Sequence, residues 1–291
     1  MTDFLQTIVS GFATGALYAL IALGFTIVFN ATKVTNFAHG EFVMMGGLIS
    51  ASLVKTMKWP LAEAVIAAVL CVTVAAVLLD RIALKHAKRK TVLTYAMITI
   101  GASVFLRGLM QVTAGRSIQF LPPFGGLPDL AAAGVFISSQ YLWILVVTLA
   151  VGTVLSFLFL RTRIGKAMRA ASQNVRSAAL CGIEPARMSM LAFALSGATG
   201  ALAGALIAPI GASFYENGLN FALKGFAAAV LGGFGSPVGA VLGGVLIGIG
   251  ESLCAGYLSS AYKDAVSLVV LLGVLLLRPS GLLGHAEARR V

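Results

Sequence analysis

Charge is what this 291-residue sequence has least of. Asp, Glu, Lys and Arg make up 11% of it, against roughly 25% in an ordinary soluble domain. So few charges cannot cover a water-exposed surface of this size, which excludes a soluble globular protein. Three cysteines, Cys71, Cys181 and Cys254, lie far apart and show no metal-ligand spacing. They read as small apolar side chains. Three histidines, His39, His86 and His285, leave little for acid–base chemistry. No GxxxxGK[ST] occurs: Gly165-Lys166 is followed by Ala167, so ATP hydrolysis is not expected of this chain. HExxH and GxSxG are missing, and His39-Gly40-Glu41 has no downstream PCxxC to complete a zinc site. Aspartate occurs only at Asp3, Asp80, Asp129 and Asp264, near the ends of apolar runs, which leaves no intramembrane aspartate pair. An enzyme is not what this sequence describes.

What is present is apolar length. Hydrophobic residues reach 59% and mean hydropathy is +0.97. A bilayer core is crossed by about 20 apolar helical residues, range roughly 17–25. Runs of that kind cover Leu5–Phe29, Leu61–Leu79, Thr91–Met110, Gln140–Leu160, Met190–Ile210, Val238–Leu258 and Ala265–Leu277. Gly40–Val54 and Phe221–Leu231 are shorter or interrupted. The expectation is an all-α polytopic membrane protein, one domain over residues 1–291, with about eight or nine membrane segments including broken or half-length helices. The first run has no Lys or Arg ahead of it and is expected to stay as a helix rather than be removed as a signal peptide.

The net charge of +11 is not a nucleic-acid signature, because its distribution follows the apolar runs. Five basic residues fall in Arg81–Lys90, six in Arg161–Arg187 and three in Arg278–Arg290, while the connection from Met110 to Gln140 holds only Arg116. The positive-inside rule places the three basic segments, and so the C-terminus, in the cytoplasm. Lys55 and Lys58 run against it. The N-terminal side depends on whether Gly40–Val54 crosses.

The long outer connection from Gln111 carries Pro122, Pro123, Pro128 and Gly125-Gly126, marks of a turn-rich loop. The inner one, about residues 161–189, has no proline before Pro185, and Ile164, Met168, Ala171 and Val175 recur at helical spacing. It reads as one basic amphipathic helix from Ile164 ended by Gly182 and Pro185, lying on headgroups or docking a cytoplasmic partner. The 33 glycines include four-residue repeats such as Gly200–Gly204 and Gly244–Gly248, which suit close helix packing. In "GGFGSP", Gly232, Gly233 and Gly235 before Pro237 read as a break between two half-length segments.

Four ionisable residues lie at membrane depth: Glu41, Arg107, Lys224 and Glu251. A charge there costs about 2.5–3.5 kcal/mol even on the lenient insertion scale, so each faces protein or water. Arg107 and Lys224 lie near span ends, where snorkelling is expected; Glu251 is near mid-span. The stretch "NFAHGEFVMMGG" puts Asn36, His39 and Glu41 between two apolar runs. They read as the lead-in to a helix that starts inside protein, capping free N–H groups, lining a conduit, or both.

"NFAHGEFVMMGGLIS", "TRIGKAMRAASQNVRSAALCGI", "KGFAAAVLGGFGSPVGAVLGGVLIGIGES" and "RPSGLLG" together resemble the LivH-type permeases of branched-chain amino acid ABC importers, in the family's order and over essentially the whole chain. The resemblance implies a bacterial inner-membrane subunit that binds no cofactor itself. Its partners would be a second, LivM-type permease, two cytoplasmic ATPase subunits that bind ATP, a periplasmic substrate-binding protein, and the bilayer. It implies ATPase docking through Arg169, Arg176, Ala178, Ala179, Gly182 and Arg187. It leaves Asn36, His39, Glu41, Gly232, Gly233, Gly235 and Glu251 as candidates for the translocation path. Urea or short amides as cargo, or a stand-alone ion-coupled transporter with Glu41 as its ion site, stay open.

Overall fold

A computed structural model describes residues 2–87, 91–132 and 135–284. Lys88, Arg89, Lys90, His285, Arg289 and Arg290 lie outside them. Helices α1 (Thr2–Thr32), α2 (His39–Met57), α3 (Leu61–Leu78), α4 (Val92–Thr113) and α5 (Ser139–Arg161) precede the basic inner connection. Within it lie α6 (Arg163–Gln173) and α7 (Val175–Leu180). Then come α8 (Pro185–Ile207), α9 (Asn217–Gly232), α10 (Pro237–Tyr257) and α11 (Lys263–Leu277). A π-turn, Leu79–Leu84, extends α3, and a 3-10 turn, Ser260–Tyr262, leads into α11. Among the described residues, seven helices are long and apolar enough to cross a membrane. They correspond to the seven long apolar runs of the sequence. The two short runs became α2 and α9, of 19 and 16 residues.

Helix boundaries follow local chemistry. Pro185 and Pro237 open α8 and α10 at positions where no helical N–H is needed. Ser236 accepts from the Gly239 N–H (3.1 Å), capping α10. α1 is the axis of the bundle: from Ala13 to Val28 only Thr14 is less than fully buried. A helix apolar on every side suits that position. α10 lies against α1 so closely that a side chain on Gly15 would strike the Val245 backbone, and one on Gly248 the backbone of Gly15. On α8, Gly204 does the same against Val43 of α2. The four-residue glycine repeats are therefore spent inside the subunit.

The outer connection is not purely loop. Leu130–Ala132 (β1) and Val135–Ile137 (β2) pair antiparallel, and Gln119 exchanges backbone hydrogen bonds with Ser213, both 2.9 Å. The strands of this small hairpin are only three residues long, and the fold is all-α around it. It fixes which ends share a side: the Gln6 side chain donates to the Phe136 carbonyl (2.9 Å) and accepts from its N–H (2.8 Å). The start of α1 and the proline-rich connection therefore face the same way. The far end of α1 meets the α9–α10 break, where Asn30 Nδ2 donates to the Gly235 carbonyl (2.8 Å). The outer faces of α3, α4, α5 and α11 are apolar and uncovered: on α3, Ile66, Leu70 and Val74 are 57–61% exposed at four-residue intervals. Only lipid or another apolar subunit suits such a face.

Candidate functional site

The polar stretch before α2 divides its labour. Asn36 Oδ1 accepts from the Ala38 N–H (3.1 Å) and the Asn36 carbonyl from the His39 N–H (3.2 Å). Asn36 thus shapes the turn into α2, which starts at His39 with Ala38 as its N-cap and no side-chain cap of its own. The His39 ring is fully buried. Its Nδ1 shares a hydrogen bond with Ser196 Oγ of α8 (2.9 Å), and Phe25 stands edge-on to it with centroids 4.8 Å apart. Gly24 of α1 has no side chain where the imidazole lies. His39 is thus an α1–α2–α8 packing centre.

Glu41 is 1% exposed and is held from α4. Arg107 Nη2 donates to its Oε1 at 2.6 Å and the Ser103 hydroxyl at 2.8 Å. Its carboxylate rests on Gly218, in the first turn of α9, where any side chain would collide with it. A helix N-terminus favours an anion there. Arg107 therefore does not snorkel outward, contrary to the sequence expectation. Buried by α2 and α9, the carboxylate draws the guanidinium inward, and linear position along α4 carries no sign of that. Five buried polar atoms lack a protein partner among the described residues: Thr26 Oγ1, Asn36 Nδ2, His39 Nε2, Glu41 Oε2 and Arg107 Nε.

Glu251 anchors a second cluster. It is fully buried on α10 and accepts from the Tyr18 hydroxyl (2.6 Å), the Lys224 ammonium (2.9 Å) and the Ser267 hydroxyl. Lys224 also donates to Tyr18 Oη (3.0 Å) and to Asp264 Oδ1 (2.7 Å). Here again a residue expected to snorkel turns inward. The network ties α1, α9, α10 and α11 through one ammonium. Asp264 reads in the sequence only as an aspartate near the end of an apolar run, and Ser267 is not singled out; their three-residue spacing, which puts them on one face of α11, was the available signal.

The glycine break sits elsewhere. Gly233 and Gly235 take φ of +102° and +94°, which side-chain-bearing residues rarely adopt. The tail folds back over the break: the Leu282 N–H donates to the Leu231 carbonyl (2.8 Å) and Leu283 to Gly232 (3.0 Å). "RPSGLLG" thus satisfies carbonyls that the end of α9 leaves free. Gly232 packs on Gly239 and Gly233 on Gly284.

Two cavities open on the bundle. One of about 350 Å³ lies beside the basic inner connection, lined by Asp80, Tyr95, Ser172 and Ser189 among others. The Ser189 hydroxyl donates to Asp80 at 2.5 Å. The other, about 450 Å³, lies on the side of the outer connection and is lined by Tyr18, Lys224 and Asp264. Asn36, His39, Glu41, Gly232, Gly233, Gly235 and Glu251 line neither cavity. The structure spreads these seven over three separate packing centres.

The inner connection is two helices, not one. Asn174 is extended, and its side chain accepts from the Ser177 N–H (3.0 Å), stopping α6 and starting α7. Asparagine competes with the helix through such local bonds, an outcome that apolar spacing hides. The expected stripe splits accordingly: Met168 and Ala171 are buried, while Ile164 (47%) and Val175 (59%) are exposed. Arg169, Arg176, Ala179, Gly182 and Arg187 are exposed, Ala178 is buried, and Leu180 is 90% exposed. Arg187 pairs with Glu184 at 2.6 Å.

Residues 7–275 match the family described as branched-chain amino acid transport system / permease component. The chain belongs to this family. High-affinity branched-chain amino acid transport system permease protein LivH of Salmonella typhimurium is 34% identical, over 99% of this chain and 98% of that protein. BraD of Pseudomonas aeruginosa is 33% identical over the same shares. A probable LivH of Methanocaldococcus jannaschii is 31% identical over 92% of this chain and 89% of its own length. Both charge clusters and α6–α7 of this permease lie within the matched residues 7–275.

Proposed function

We propose that the chain is the membrane-spanning permease of a binding-protein-dependent importer of branched-chain amino acids, working with a second permease and driven by ATPase subunits on other chains. α2 and α9 serve as the eighth and ninth membrane segments. The proline-rich connection faces outward, and the basic connection and C-terminus face the cytoplasm. The relatives named for this transport support the cargo. The observation that carries the ATPase coupling is the inner connection: a six-residue helix, α7, ending in a 90% exposed leucine between exposed Arg176 and Gly182. An exposed apolar knob with Arg176 one turn before it on the same helix is poorly suited to water and well suited to a groove on a partner. A Glu41-coupled secondary transporter is disfavoured, because that carboxylate is buried and already neutralised by Arg107.

A native probe sits beside the knob. Cys181 is exposed and Cys254 is buried, while Cys71 is exposed midway along the apolar helix α3, where a membrane-impermeant reagent does not reach. A membrane-impermeant maleimide is expected to label Cys181 in inside-out vesicles, and bound ATPases are expected to protect it. In the assembled transporter, reversing charge at Arg169 and Arg176 leaves insertion intact while separating ATP hydrolysis from uptake. Normal leucine uptake by that double variant would overturn the docking assignment.

A further inference from the structure

The outer cavity holds a carboxylate, Asp264, that the neutralisation of buried Glu251 does not need. Glu251 is satisfied by Tyr18, Ser267 and Lys224 and is sealed from water. Lys224 is 12% exposed and spends one donor on Asp264, whose side chain is 73% exposed. Asp264 is thus a second carboxylate on an ammonium that Glu251 already neutralises. It can leave without stranding a buried charge. Lys263 also lines the cavity, so the cluster sums to two ammonium groups against two carboxylates. Leu17, Ile207 and Phe221 make an apolar wall beside them. The volume of about 450 Å³ falls within the roughly 300–1,000 Å³ typical of small-molecule sites.

We propose that this cavity is an outward-facing loading site for a neutral α-amino acid with an aliphatic side chain, bound by exchange of partners at Lys224. The ligand's carboxylate takes the Lys224 donor that Asp264 occupies, and the released Asp264 carboxylate takes the ligand's ammonium. Lys224, Glu251 and Asp264 each keep an opposite charge before and after, so a zwitterion enters without leaving an unpaired charge among them in a low-dielectric site. A ligand carrying only one of the two groups leaves either Lys224 or Asp264 with a poorer partner. The wall of Leu17, Ile207 and Phe221 excludes a charged side chain. The site rests on the proposed amino-acid cargo and adds where the molecule first meets this chain, before any path shared with a second permease.

The test uses the 291-residue chain in lipid nanodiscs, with leucine, 4-methylpentanoate (leucine without its amine) and 3-methylbutylamine (leucine without its carboxylate) as probes. The wild-type chain is expected to bind leucine at least ten-fold more tightly than either analogue. Asp264→Asn keeps the Lys224–Glu251 pair and is expected to weaken leucine ten-fold or more while leaving 4-methylpentanoate unchanged or tighter. Ile210→Trp, which fills the cavity from the α8–α9 connection, is expected to abolish binding of all three. Equal leucine affinity in wild type and Asp264→Asn, or no leucine binding by a wild-type chain whose assembled transporter imports leucine, overturns the site. An assembled wild-type transporter that imports no leucine strikes the cargo reading instead, and leucine binding by this chain is then judged on its own measurement.

Discussion

Replacing Arg107 by alanine is the sharpest perturbation of the fold. It removes a guanidinium that is 29% exposed and strands Glu41, which is 1% exposed and keeps only the Ser103 hydroxyl at 2.8 Å. Breaking a buried pair from one side costs about 3–5 kcal/mol, because the partner is left as an uncompensated buried charge. The reverse change, Glu41→Gln, is milder. Arg107 can swing its partly exposed head back toward water, and an amide still offers an oxygen to Ser103, so about 1.5–3 kcal/mol is expected, the scale of a lost charge-assisted hydrogen bond. Removing both charges, as Glu41→Gln with Arg107→Ala, should recover much of the Arg107→Ala loss, since the buried carboxylate is no longer left uncompensated. Reversible unfolding of the purified chain in bicelles, read as a double-mutant cycle, measures all three. Arg107→Ala no more harmful than Glu41→Gln, or two additive single changes, would refute the pairing.

Three further outcomes are expected. Gly248→Val should destabilise by about 1–3 kcal/mol or more through overpacking, since its side chain meets the Gly15 backbone; Gly101→Ala on α4, with nothing within 4 Å, should gain about 0.5–1 kcal/mol, and paired melting curves separate the two. Truncation after Ser280 removes the Leu282 and Leu283 donors from α9 and should cost about 1–3 kcal/mol at roughly 0.5–1.5 per bond, seen as faster hydrogen exchange at the end of α9. The chain reconstituted alone in liposomes should move no leucine with or without ATP or an ion gradient, and vectorial uptake measured there would sink the assignment of its motive force to other chains.

Membrane residence, the seven long helices, the glycine-zipped packing and the missing ATPase motif were legible in the linear text. Each is set by local composition: apolar length, small residues four apart, or a motif with fixed spacing. The family was legible too, through four blocks in order. What composition does not encode is which distant side chain a buried charge will meet. Glu41 and Arg107 are 66 positions apart and Lys224 and Glu251 are 27 apart, and only the packing of α2 on α4 and α9 on α10 turned two presumed snorkelling cations into internal partners. The break at Asn174 and the tail folded over α9 were likewise decided in three dimensions, since each depends on a backbone hydrogen bond choosing between partners that the sequence offers equally.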